Sequence, residues 1–215
     1  FKLVFFIIIM NNLNLEKGQH ILIDNNIVDL EIKTANVKSS DKIIEIGAGS
    51  GIITQRLAEN ASVVLAFEID EQFKRSLSHL STHYPNLKII YDDALKYSWK
   101  DYNKIVSNIP YALSEEILIK ATLSEIKDII LIIGNNFKAL LLSNERIGII
   151  AQKFYDISPI KEIKKESFYP PPNTTSYLIH LKRKDKIKEL EIFLLNIITK
   201  KGKLKNVIIS ELMQK

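Results

Sequence analysis

The sequence predicts an α/β fold, a parallel sheet with helices on both faces, followed by a short, basic, mostly helical end. Three observations predict it. Apolar runs of strand length alternate with helix-like segments from residue 25 to residue 134, the pattern of a crossover-connected sheet. A tight glycine run, EIGAGSG at 45–51, stands where the first such strand turns into a helix. Charge is unevenly placed: residues 182–215 hold ten Lys/Arg and four Asp/Glu, a net of +6, and the other 181 residues hold 20 basic and 21 acidic side chains, a net of −1.

The chain has 215 residues, 46% hydrophobic and 26% charged, and this suits one globular α/β domain with a small appendage. It has no cysteine. That excludes a disulfide framework and thiolate chemistry, and it fits a cytoplasmic protein. The opening FKLVFFIIIM is apolar from Leu3 to Met10, too short for a bilayer span of about 20 residues. No small-residue cleavage site follows it. Met10 is expected to be the true start, with residues 1–9 not native.

The elements follow in order. NNIVDLEIKTANV (25–37) reads as a helix ahead of the sheet, DKIIEIG (41–47) as a buried strand and GIITQRLAEN (51–60) as the helix after it. SVVLAFEID (62–70) is a second strand, EQFKRSLSHLS (71–81) a helix, NLKIIYDDA (86–94) a third strand and NKIVSNIP (103–110) a fourth. SEEILIKATL (114–123) is a helix, IKDIILIIG (126–134) a fifth strand, and TSYLIHLKR (175–183) a last strand after a linker containing YPPP (169–172). The end reads as one or two basic helices. Its charge suits either a polyanionic partner or a solvated helix.

Chemistry gathers at the strand ends. Gly47, Gly49 and Gly51 allow a tight turn and close approach of backbone to a ligand. Glu68 ends the second strand, 21 residues after Gly47, where an acid can accept hydrogen bonds from ribose hydroxyls. The Asp92-Asp93 pair ends the third strand, where a carboxylate can accept from an adenine amino group. Backbone, ribose acceptor and base acceptor together describe a nucleoside pocket. No G-K-[ST] follows the glycines, so S-adenosylmethionine is favoured over a nucleotide with a phosphate chain. The fourth strand runs into SNIPYALS (107–114). Pro110 cannot donate to a ladder, so Asn108 to Tyr111 form a stiff loop offering one amide and one aromatic face to something flat. His79 and His83, four apart, lack a third metal ligand nearby. Trp99 reads as a packing anchor.

Six motifs in order, GQHILID (18–24), EIGAGSGIIT (45–54), FEID (67–70), DDAL (92–95), SNIPYALS (107–114) and FYPPPNTTS (168–176), resemble the ribosomal RNA adenine N6-dimethyltransferase family. That family includes the small-subunit dimethyladenosine transferases and the erythromycin-resistance methylases. The resemblance implies a Rossmann-like S-adenosylmethionine-dependent methyltransferase domain over residues 18–183. Residues 1–17 become an N-terminal extension and residues 184–215 a short basic helical domain. It implies a cofactor site of His20, Leu22, Gly47, Gly49, Glu68, Asp93 and Asn108. Asp93 is preferred to Asp92 because it directly precedes Ala94-Leu95. Asn108, Pro110 and Tyr111 would be catalytic, with Tyr111 stacking on the target adenine and Phe168 covering its other face. No metal is implied. The partner is ribosomal RNA in a small-subunit precursor, met by a cytoplasmic monomer with no membrane role.

The stretch IIGNNFKALLLSNERIG (132–148) departs from the family, with Asn136 and Leu140 where an acid and a base are expected. That bears on RNA docking and target choice. The alternatives are methylation of large-subunit rRNA or DNA adenine, and an RNA-binding assembly factor without catalysis. Ile109-Pro110 in place of Pro-Pro speaks against a DNA enzyme.

Overall fold

A computed structural model describes residues 20–199. The expected N-terminal extension (1–17), the reading of Met10 and the tail beyond residue 199 lie outside them. In chain order the elements are β1 (Ile21–Leu22), α1 (Asn25–Ala35), β2 (Lys42–Ile46), α2 (Ile52–Ala58), β3 (Val63–Phe67), α3 (Lys74–His83), β4 (Leu87–Ile90), β5 (Lys104–Asn108), α4 (Ser114–Leu123), β6 (Asp128–Gly134), α5 (Asn135–Leu141), α6 (Arg146–Phe154), β7 (Tyr155–Ile163), β8 (Phe168–Tyr169), β9 (Ser176–Arg183) and α7 (Glu189–Thr199).

Seven strands form one sheet in the order β4-β3-β2-β5-β6-β9-β7. From β4 to β6 every pairing is parallel. The chain lays β3 and β4 outward on one side of β2, then returns to place β5 on the other side. The order therefore reverses between β2 and β5, and such a switch point opens a crevice at the carboxyl ends of the strands. Strands β2, β3 and β5 are buried along nearly their whole length and read as continuous apolar runs, as expected for strands covered on both faces. Helices α1, α2 and α3 cover one face through Ile27, Val28, Ile53, Leu57 and Leu77. Helices α4 to α7 cover the other through Ile117, Phe137, Ile150 and Leu195.

The sheet is not wholly parallel. Strand β9 runs antiparallel to β6, and β7, which the sequence pattern does not announce, pairs antiparallel to β9 at the edge. Between its buried ends, Tyr155 and Ile163, β7 is mostly exposed, so it lacks the apolar alternation that marks a strand. The third strand stops at Ile90 rather than running to residue 94. The Asp93 side chain accepts from the Leu95 N–H and caps a single 3-10 turn over Ala94–Lys96. Strands β1 and β8 make a separate two-stranded antiparallel sheet, pairing Leu22 with Phe168. That holds the segment around His20 and the YPPP loop together beside the crevice.

Candidate active site

The crevice at the switch point is a cleft of about 310 Å³ lined by His20, Leu22, Gly47, Gly49, Glu68, Asp92, Asp93, Asn108, Pro110 and Tyr111 among others. Residues spread over 92 positions thus converge because four parallel strands end at one edge and the β1 segment folds back across it.

The glycine turn comes first. Gly47 has φ +81°, and a Cβ there would lie 3.6 Å from Pro110 Cδ and 3.8 Å from the Asn108 carbonyl oxygen. The two loops of the switch point therefore rest against each other, with Gly47 in a conformation that side chains disfavour. The N–H groups of Gly47 and Ala48 both reach the Phe67 carbonyl, at 2.8 and 3.0 Å, tying the turn to the end of β3. Gly49 donates its N–H to Glu68 Oε2 at 2.7 Å, and the Asp70 N–H bonds Oε1 at 2.8 Å. Glu68 is buried. Burial pushes its pKa up, while these N–H groups pull it back. Each carboxylate oxygen can still accept another hydrogen bond, as a ribose diol requires.

The two aspartates separate cleanly. Asp92 accepts from Lys96 Nζ at 2.6 Å, from the Asp93 N–H at 2.7 Å and from the Tyr97 hydroxyl at 3.2 Å. Its lone pairs are largely engaged, and the Lys96 ammonium holds its pKa below the usual carboxylate range. Asp93 uses Oδ1 for the Leu95 N–H and keeps Oδ2. Around these acceptors the cleft wall is apolar, with Ile46, Phe67, Ala94 and Leu95. Such a pocket, mostly apolar with a few aimed polar groups, fits an adenosyl group.

Asn108 closes the site toward Tyr111. Its Nδ2 donates to the His20 carbonyl at 3.0 Å. That bond fixes the amide orientation and reserves Oδ1 as an acceptor. Ile109, only 2% exposed, is buried in the core beneath and pins the loop. His20 Nδ1 meets the Pro170 carbonyl at 2.8 Å. A carbonyl can only accept, so Nδ1 carries the proton. The Tyr111 ring sits half-buried, 6.4 Å from the His20 ring between centroids. Its hydroxyl is 2.6 Å from Ser176 Oγ, a contact that the sequence did not announce.

Phe168 takes a different place from the one expected. It is 1% exposed, packed in the core beneath β1 and absent from the cleft wall. A side chain so enclosed has no face left for a base, so the role of covering the adenine does not suit it. Among the tail cations, Arg183 is engaged within the protein, donating to the Thr122 carbonyl at 3.1 Å and lying over the Phe154 and Tyr155 rings. Lys184 Nζ bonds the Gln152 carbonyl at 2.7 Å. Both lie at the edge of the sheet opposite the cleft, where β6 begins. Trp99 is fully buried, with its indole N–H on the Ala94 carbonyl at 3.1 Å, a packing role. The His79 and His83 rings lie 4.4 Å apart between centroids, tilted by 59°. Among the described residues no group of three or more His, Asp or Glu is placed to hold a metal ion, and no helix is long and apolar enough to cross a membrane.

A doubly wound sheet with a nucleoside-sized cleft at its switch point, bordered by an amide-proline-aromatic loop, defines an α/β nucleoside-dependent transferase. The family model for ribosomal RNA adenine dimethylase matches residues 10–212. The chain belongs to that family, and is thereby an rRNA adenine dimethyltransferase.

It is 30% identical over 197 residues to a Thermococcus sibiricus protein named "Probable ribosomal RNA small subunit methyltransferase A", covering 88% of this chain and 72% of that one. A Methanosarcina acetivorans protein of the same name is 34% identical over 182 residues, covering 80% and 68%. Among solved structures, a dimethyladenosine transferase from Plasmodium falciparum aligns with a TM-score of 0.73 at 25% identity, over 91% of this chain and 78% of that one. The 23S rRNA methyltransferase ErmE aligns with a TM-score of 0.71 at 19% identity, over 88% and 83%, a likeness of fold.

Proposed function

We propose that the protein uses S-adenosylmethionine to dimethylate the N6 amino group of adenosines in small-subunit ribosomal RNA, as a cytoplasmic monomer acting during ribosome assembly. Family membership and the relatives' names support the substrate. The single observation that carries the chemistry is Asn108, whose Nδ2 is held by the His20 carbonyl so that Oδ1 remains an acceptor in the cleft.

In this reading Glu68 takes the ribose hydroxyls, Asp93 Oδ2 the adenine amino group of the cofactor, and the backbone at Gly47 and Gly49, with His20 and Leu22, the rest. When bound, S-adenosylmethionine supplies a methyl group on a sulfonium sulfur that leaves as a neutral thioether. The target N6 is a weak nucleophile because its lone pair is delocalised into the ring. Asn108 Oδ1 and a backbone carbonyl of Ile109 or Pro110 accept its two N–H bonds and favour a lone pair aimed away from the ring plane. Positioning and fixed dipoles then carry most of the rate. No strong base is needed before attack, since the extra proton can leave to water afterwards. Tyr111 provides the stacking face for a base splayed out of folded RNA. The basic end over residues 182–215 is read as a docking element for RNA phosphates, apart from Arg183 and Lys184, which bond within the protein.

The test incubates the protein and labelled cofactor with small and large ribosomal subunits lacking the modification, then maps the methylated adenosines. Dimethyladenosine confined to the small subunit is the expected result. Label in the large subunit alone would replace the substrate assignment, and no label in either would overturn the activity.

A further inference from the structure

Tyr111 is more than a ring. Its surroundings give the hydroxyl and one ring edge separate partners. Ser176 is fully buried and lies 2.6 Å from the hydroxyl. Gly134 is its register partner across β6 and β9. A Cβ at Gly134 would stand 3.1 Å from Tyr111 Cδ2 and 3.3 Å from Cε2, tighter than ordinary van der Waals contact. One cross-strand pair therefore grips the tyrosine twice, by the hydroxyl at its tip and along its edge. The backbone before the ring is stiffened by Pro110, and a 3-10 turn follows over Tyr111–Leu113. Burial raises the pKa of the phenol, so the hydroxyl stays protonated and the bond persists through the neutral range.

We propose that Ser176 is a positioning residue for the methyl acceptor: by bonding the Tyr111 hydroxyl, in the space that Gly134 leaves free, it fixes the plane on which the target adenine stacks. This rests on the reading of Tyr111 as the stacking face. It goes further, because it makes the hydroxyl matter although stacking itself needs only the ring. A buried tyrosine hydroxyl commonly finds some partner. What distinguishes this one is that its partner and the close-packed glycine face each other across the strand pair that ends at the cleft. A ring freed to tilt would carry the base with it. Misplacement of reacting atoms by about 1 Å can lower the rate by about a hundredfold.

The test uses the full chain and the adenosine mapped in the subunit experiment. Ser176→Ala and Tyr111→Phe are each expected to lower kcat on the order of ten- to a hundredfold. The KM values for RNA and cofactor should stay within about twofold, because the many other contacts that hold the RNA are unchanged. The double variant should be no slower than the slower single one, since both changes remove the same bond. A hairpin RNA carrying 2-aminopurine in place of the target adenosine reads the stacking directly: its fluorescence should be quenched by the native protein and remain bright with either variant. Gly134→Ala, which leaves the hydroxyl intact and crowds the ring edge, should reproduce the kcat loss, and it keeps the proposal testable if Ser176→Ala fails to fold. Native kcat and quenching in Tyr111→Phe, or losses that multiply in the double variant, would overturn the proposal while leaving the methyltransferase reading intact. Absence of any methylated adenosine with the native protein would overturn both.

Discussion

The two edges of the central sheet treat their polar groups in opposite ways. At the edge where the parallel strands begin, each buried charge is answered from within the protein. Lys104 Nζ lies 2.9 Å from Asp41 Oδ2 and 2.6 Å from the Ala35 carbonyl. Asn103 bridges the Asp41 carboxylate and the Lys42 N–H at 2.7 Å each, and His180 meets Asp128 at 2.9 Å. At the edge where those strands end, Glu68, Asp93 and Asn108 are each oriented by the protein yet keep an acceptor in reserve. The first edge uses its polar groups in the fold, and the second leaves acceptors unused in the cleft. Damage at the two edges should therefore show in different measurements.

The largest effect is expected at the closed edge. Lys104→Met leaves Asp41 buried without its cation, and should lower unfolding free energy by about 3–5 kcal/mol. Denaturant melts would show this, while cofactor affinity of the folded fraction stays native. A small stability change would erase the contrast. At the open edge, Asn108→Ala should cut turnover by about 10²–10³-fold, the scale for losing one aimed hydrogen-bonding group. Its melting temperature should change little, and a large drop in stability would mean that Asn108 belongs to the fold. Glu68→Ala should weaken cofactor binding by about 1–3 kcal/mol in calorimetry. Unchanged affinity in a folded variant would remove Glu68 from the site.

The interior between the edges adds a pH test. Glu31 and Glu45 are buried, with the Ser107 N–H beside the first and Thr54 beside the second offsetting part of the lost hydration. Burial pushes Glu45 up to about 8, with the charge on Glu68 adding to it, and raises Glu31 well above the ordinary range. The folded protein then keeps the Glu45 proton to about pH 8, whereas the unfolded chain releases it near 4.5. Stability should fall as pH rises through that window, by up to about 1.4 kcal/mol per pH unit for one such group. Glu45→Gln should flatten this slope in melts between pH 5 and 8. The closed edge has the opposite sign. His180 holds the Asp128 pKa down, and Asp41, despite its burial, is held down by the Lys38 N–H, Asn103 and Lys104. Their contribution is present at neutral pH and is lost in acid, below the usual carboxylate range. A stability profile without an upper shoulder would mean that Glu45 is solvated.

The parallel half of the fold was legible because its strands are buried on both faces and separated by helices, so each reads as an apolar run ended by glycine, acid or amide. The positions of Glu68, Asp93 and Asn108 were legible for the same reason: each stands at or just past the end of such a run, and the structure brings all three to one cleft. Of the antiparallel strands, β9 was legible as an apolar run over 175–183, and the others were not. Strand β7 shows solvent most of its length, β1 and β8 have two residues each, and no periodicity survives at that size. The resemblance preferred Asp93 to Asp92 by its place before Ala94-Leu95, but the physical difference between them lies in Lys96 and Tyr97, which engage Asp92. Ser176 stood in the sequence only as the last residue of FYPPPNTTS, with no role of its own. A serine in a strand is ordinary, and what singles it out is a hydroxyl 65 positions away. The burial of Phe168 was not legible, because an aromatic beside a loop reads the same whether it faces inward or outward.

Strand β7 carries one further consequence. It is the last strand of the sheet, and among the described residues nothing pairs with its outer side. A free edge of nine residues would ordinarily be a template on which another chain could add a strand. Here Pro159 has no N–H to offer, the register slips between Pro159 and Lys161, and Lys161 stands exposed on the same stretch. Each feature blunts a docking strand, by removing a donor, breaking the spacing or placing charge in its path. The irregularity that takes the apolar alternation out of β7 is thus the same one that guards this free strand against sheet-to-sheet aggregation, while the cleft at the strand ends stays open.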